Sequence, residues 1–107
     1  LSVRDVRRLG TQGTLDRIPD GKRFYVTIDI DGFDPSIAPG TGTPSHGGFH
    51  YYEVLEILQG LVKKGDVVGL DVVEVAPDYD QSGITAMLAA QVILNFLGFI
   101  FHERSLR

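Results

Sequence analysis

Cysteine and tryptophan are missing from this 107-residue chain, and methionine occurs once. Without cysteine there is no disulfide framework and no thiolate metal site, which suits a reducing compartment such as the cytoplasm. No long run of one charge is present either. The 14 acidic and 10 basic residues give a net charge of −4. That leaves neither the basic footprint of a nucleic-acid binder nor a polybasic membrane patch. The longest apolar stretch, near the C-terminus, is interrupted by Gln91 and Asn95 and is too polar for a convincing membrane span. A signal-peptide pattern is absent, and the first residue is Leu. We therefore expect a cytoplasmic domain, or an internal piece of a longer one, with no nucleic-acid or membrane partner.

What the chain does contain is an alternation of helix and strand signals. Residues 2–16 place Val3, Val6, Leu9 and Leu15 at helical spacing, weakened by Gly10 and Gly13. Residues 24–30, rich in aromatic and β-branched side chains, read as a strand. A long loop, DGFDPSIAPGTGTPSHGG, follows it, and loops of that length usually carry function. Residues 51–63 set Val54, Leu55, Leu58, Leu61 and Val62 on one helical face, with Gly65 as the expected C-cap. DVVGLDVVEVAP is a near-continuous apolar strand, and Ser82 is the expected N-cap of a helix over 83–102. This order predicts an α/β fold with a parallel sheet. Two strands are too few for a complete one, so the edge and apolar face left open favour self-association or a partner.

The unusual feature is a set of carboxylates at strand ends. On a strand, Asp29 and Asp31 project to the same side, with Cα atoms roughly 6.5 Å apart. They stand at the C-terminal edge, where open parallel sheets place their ligands. All-oxygen donors of this kind suit Mg²⁺ or Mn²⁺. A solvated carboxylate pair beside a loop is the plainer alternative. Asp34, between Gly32 and Pro35, reads as the start of an Asx-type turn. On the second strand Asp71 reads as a salt-bridge residue. Glu74, nearer the strand end, could receive a cation, ligate a metal or act as a base. His46, His50 and His102 read as loop, surface and helix-end residues.

TIDIDGFDPSIAPGTGTPSHGG and VVGLDVVEVAP, with a helix between them, resemble the ureohydrolase superfamily of arginases and agmatinases. The resemblance runs from about Phe24 to Ala90, and APGTGTP looks more like agmatinases than arginases. It implies a three-layer α/β/α parallel-sheet fold, of which residues 1–107 would be the C-terminal part. It also implies a binuclear Mn²⁺ centre whose hydroxide attacks a guanidinium carbon and releases urea, a reaction of polyamine metabolism. By that resemblance Asp29 and Asp31 are catalytic metal ligands, one bridging both ions. Asp34 completes the signature without ligating, Glu74 receives the substrate guanidinium, and Gly42 and Thr43 approach the substrate pocket. The family's remaining ligands, a His and a D-A-H-x-D cluster on earlier strands, do not occur here. The expectation is a parent homo-oligomer acting on a small guanidino compound, and an isolated chain that binds metal weakly and is inactive. Two rivals remain: a binding or assembly module that keeps half the fold, and a haloacid-dehalogenase-type phosphatase. The phosphatase also has D-x-D-G after an apolar strand but normally carries Thr where this chain has Phe33.

Overall fold

The computed structural model describes all residues from Leu1 to Arg107. Its element order is α1 (Val3–Leu15), β1 (Arg23–Asp29), α2 (Tyr51–Lys64), β2 (Asp66–Val73) and α3 (Ile84–Ser105). The strands pair in parallel, Arg23 opposite Asp66 through Asp29 opposite Val73, so both C-termini lie at one edge. A register shift between Phe24 and Tyr25 makes room for Val68, which has no partner in the ladder. This is the helix–strand alternation expected, as two strands with helices packed against them.

Alternation along β1 sends Phe24, Val26 and Ile28 toward the helices. There they join a core of Leu58, Leu61 and Val62 from α2, Val67 from β2, and Ala89, Val92, Phe96 and Ile100 from α3. Val92 and Phe96 have no exposed surface. The opposite sheet face carries Tyr25, Thr27 and Asp29 beside Gly69, Asp71 and Val73, and nothing packs over it: Tyr25 keeps 64% of its surface exposed. Apolar clefts border both free strand edges. One, of about 360 Å³, is lined by Val26, Ile28, Val54 and Leu61; the other, of about 240 Å³, by Val68, Leu70, Leu97 and Phe101.

α1 is interrupted where the sequence marks it as weak: Gly10, at φ 73°, kinks it, as a residue without a Cβ permits. Gly65 is the C-cap of α2, as expected, in extended backbone at φ −178°. It is glycine because a Cβ would run into the Lys22 carbonyl and the Phe24 ring. Ser82 does not cap α3. Asp80 does so from further back, accepting the Thr85 and Ala86 amides at 3.0 and 3.1 Å. α3 is also long and apolar enough to cross a membrane by length and composition, which the reading of Gln91 and Asn95 as interruptions did not anticipate. One stripe of it forms core, while Met87, Leu94 and Phe101 stay exposed.

Candidate metal and substrate site

β1 ends at Asp29, and Ile30–Gly32 turns at once into a single 3₁₀ turn. Asp31 is therefore not a strand residue, and the two-residue strand repeat is not what pairs it with Asp29. The turn does so instead. Asp29 caps it, its Oδ1 accepting the Asp31 N–H at 3.1 Å. Asp31 Oδ2 accepts the Thr43 hydroxyl at 2.6 Å. No other backbone amide or hydroxyl donates to the two carboxyl groups, so one oxygen of each accepts neither. Thr43, expected near the substrate, thus reaches the site by holding a carboxylate; Gly42 beside it is exposed.

Glu74 follows directly on Val73, the residue opposite Asp29 in the ladder, and so comes to the same sheet edge. Its φ of 71° is left-handed, a conformation a non-glycine residue rarely adopts and one that concentrates at functional positions. Partial withdrawal of the Asp29 carboxyl from water, then its close approach to the Asp31 carboxyl and the charges of Asp31 and Glu74, pushes its pKa above the usual carboxylate range; the Asp31 N–H opposes this. Three like charges at one edge, with no lysine or arginine bonded to any of them, repel one another unless a cation joins them. The donor chemistry fits one side of a hard-cation site. It is not a complete site, because no group of three or more metal-ligating side chains converges.

Asp34 forms the Asx turn expected of it, its Oδ1 accepting Ser36 N–H at 2.9 Å; the Ser36 hydroxyl first, and then this N–H, hold its pKa low. The long loop closes on itself where Asp34 N–H donates to Phe49 and Phe49 N–H to Gly32, at 2.9 and 2.8 Å. Asp71 has no salt bridge, contrary to expectation. Its Oδ2 accepts the Tyr25 hydroxyl at 3.1 Å, while its Oδ1 is buried without a partner. A strand position facing an unpacked sheet face offered no cation. His50 immediately precedes α2 and His102 lies in the last turn of α3, both away from the carboxylates. A larger polar cleft, about 520 Å³, opens between α1 and α2 beside Asp20 and Lys64. These residues flank the starts of the strands, so it is not the site. The sequence reading missed Gly40, Asp80 and Thr85, which tie the loop to α3. The Asp80 signal was available, a carboxylate just ahead of an apolar helix.

A parallel strand pair that delivers carboxylates to its C-terminal edge, with a long loop folded back onto one of them, defines an α/β protein, a class that places its ligands at that edge. The chain belongs to the arginase family: the profile described as "Arginase family" matches residues 1–98. Within it the chain is agmatinase-like. It is 58% identical over 73 residues to an agmatinase of Neisseria meningitidis serogroup C, covering 68% of this chain and 24% of that protein. A crystal structure of a hypothetical agmatinase from Burkholderia thailandensis superposes with a TM-score of 0.84 at 44% identity, over 95% of this chain and 33% of that one. The proclavaminate amidino hydrolase of Streptomyces clavuligerus superposes at 0.86 and 40% identity, over 94% and 35%. The chain thus spans about a quarter to a third of the length of these relatives and carries the arginase-type fold over that span.

Proposed function

We propose that these residues act as the C-terminal part of a longer agmatinase-like ureohydrolase, supplying one side of a binuclear Mn²⁺ site and the carboxylate that receives a guanidinium. The observation that carries this reading is the placement of Asp29, Asp31 and Glu74 along one sheet edge, short of a complete ligand cluster and without a bonded cation. The open oxygens of Asp29 and Asp31 would hold the metal, and Thr43 would keep the Asp31 carboxylate from rotating away. When bound, manganese lowers the pKa of water toward neutrality. Glu74 would take the planar guanidinium by a charge-assisted pair and orient its carbon. The net reaction adds water at that carbon and breaks one C–N bond, giving urea and an amine that leaves with a proton. Relatives named agmatinase support agmatine as the first substrate to try; the amidino hydrolase among the neighbours supports a wider guanidino class.

The test is Mn²⁺-dependent urea release from agmatine by the full-length protein, with bound metal counted. Asp29→Asn is expected to lose tight metal binding. Glu74→Gln is expected to keep the metal and lose substrate affinity by about two orders of magnitude, the scale of a charge-assisted bidentate pair. Normal metal content and urea release in Asp29→Asn would remove it from the ligand set. A binding or assembly module is the second reading, favoured by the exposed Met87, Leu94 and Phe101 of α3. A native 107-residue product without metal-dependent activity would select it.

A further inference from the structure

The long loop, the exit of β2 and the start of α3 meet at one buried hydroxyl. Thr85, in the first turn of α3, has no exposed surface, and its Oγ1 accepts the Gly40 N–H at 2.8 Å. The Gly40 carbonyl in turn accepts the Ala76 N–H at 2.8 Å. Asp80 closes the cluster from the other side through the Thr85 and Ala86 amides. Residue 40 has no room for a side chain, since a Cβ would stand 2.6 Å from both Cβ and Cγ of Asp80. Each segment joined here leads to the site. Three residues beyond Gly40 is Thr43, which holds Asp31; two residues before Ala76 is Glu74.

We propose that Thr85 is a positioning residue: acting through Gly40, it sets the placement of the Thr43–Asp31 arm relative to Glu74. A backbone amide left buried without an acceptor is costly enough to drive its segment toward water. Without the Thr85 hydroxyl, the loop would lift from α3 and release its hold on Ala76. The catalytic meaning of this latch rests on the hydrolase reading above, whereas the latch itself is testable in this chain alone.

Amide hydrogen exchange, resolved by NMR, tests the latch. In Thr85→Val the Gly40 and Ala76 amides are expected to exchange at least about tenfold faster, the scale of one hydrogen bond. Amides in the middle of β1 and α2 should keep their protection. Thr85→Ser, which retains the acceptor, should match the parent. Should Thr85→Val fail to fold, Gly40→Ala breaks the same joint by displacing Asp80 and is expected to open the same two amides. Unchanged protection at Ala76 would overturn the coupling, and unchanged protection at both would remove the latch. In the full-length protein Thr85→Val should raise KM for agmatine about tenfold with kcat within about threefold, and Thr85→Ser should restore it. An unchanged KM would make Thr85 merely structural. If the unmodified full-length protein releases no urea, the hydrolase reading fails, and the exchange data still decide the latch.

Discussion

The two faces of the sheet are made from alternate residues of the same short strands, yet they obey different rules. On the packed face Phe24, Val26 and Ile28 meet α2 and α3 with no polar group among them. On the open face Tyr25, Thr27, Asp29 and Asp71 line up in a polar column that ends at the site. The packed face is held by burial, at about 25 cal/mol per Å² of apolar surface removed from water. The open face is held by little beyond the ladder itself. It carries two costly groups: a carboxylate with one oxygen buried unpaired, and a second carboxylate partly withdrawn from water beside like charges. Stability and chemistry are therefore separated by a single residue of register.

The largest effect that separates the faces is a cavity on the packed one. Phe96 has no exposed surface and lies in the continuous core, so Phe96→Ala should cost about 3–5 kcal/mol. That is a large share of the roughly 5–15 kcal/mol a domain has. A urea titration followed by circular dichroism should show the transition midpoint moved to much lower urea. A transition midpoint near that of the unsubstituted chain would mean that α3 is not part of the stabilising core.

Much of the packed face could be read in advance. FYVTID alternates cleanly, and Val54, Leu55, Leu58, Leu61 and Val62 mark one side of α2, because the rules that place them are local and periodic. The carboxylates at strand ends could also be read, since charge in an apolar run is conspicuous. What could not be read was set by tertiary neighbours. That Asp31 leaves the strand depends on a turn capped by Asp29. That Thr43 donates to Asp31 depends on a loop folding back over 12 residues. Ser82 looked like the nearest cap, but its backbone is left-handed at φ 57°, and Asp80 reaches the same amides from outside the helix. A lone carboxylate in an apolar strand reads as half of a salt bridge, but the partner of Asp71 is a tyrosine.

A second contrast comes from acid. Glu53 joins α2 to α1 through both guanidinium contacts of Arg7, at 2.9 and 3.0 Å. Arg7 holds its pKa at about 2, down from 4.5, together with the His50 N–H and against the effect of burial. A depressed folded pKa means the contribution is complete above pH 4.5 and is lost as pH falls from 4.5 toward 2. Both side chains keep about a third or more of their surface, so the contribution is discounted to on the order of 1 kcal/mol. Glu53→Gln should flatten stability against pH in that window and leave the curve above pH 5 parallel to that of the parent. An identical acid limb would place the acid sensitivity elsewhere.

At the site end, a substitution should strengthen the fold. Glu74 sits at φ 71°, where glycine is at ease and glutamate is not. Glu74→Gly is expected to raise stability by about 0.5–1 kcal/mol in a denaturant titration, while removing the carboxylate that would receive a guanidinium. A loss of stability would mean that the left-handed backbone is not strained here.

The smallest effect in this chain is also the sharpest test of what belongs over the open face. Tyr25→Phe removes the one hydroxyl that Asp71 accepts from, and that carboxylate holds the tyrosine pKa above its usual value. With the face open, water replaces the lost donor, so the variant should differ from the parent by less than about 0.5 kcal/mol, the scale of an exposed polar change. In a longer chain whose further layer covers the face, no water could reach Asp71. The same substitution should then cost about 1.5–3 kcal/mol, as expected for a buried charged group that loses its hydrogen bond. The two measurements are thermal or denaturant titrations of the same pair of variants in the short and long contexts. A cost that grows with chain length means the face is an interior surface and the polar column a buried network. An equal, small cost in both means the face stays wet, and Asp71 would then be solvated in the longer protein as well.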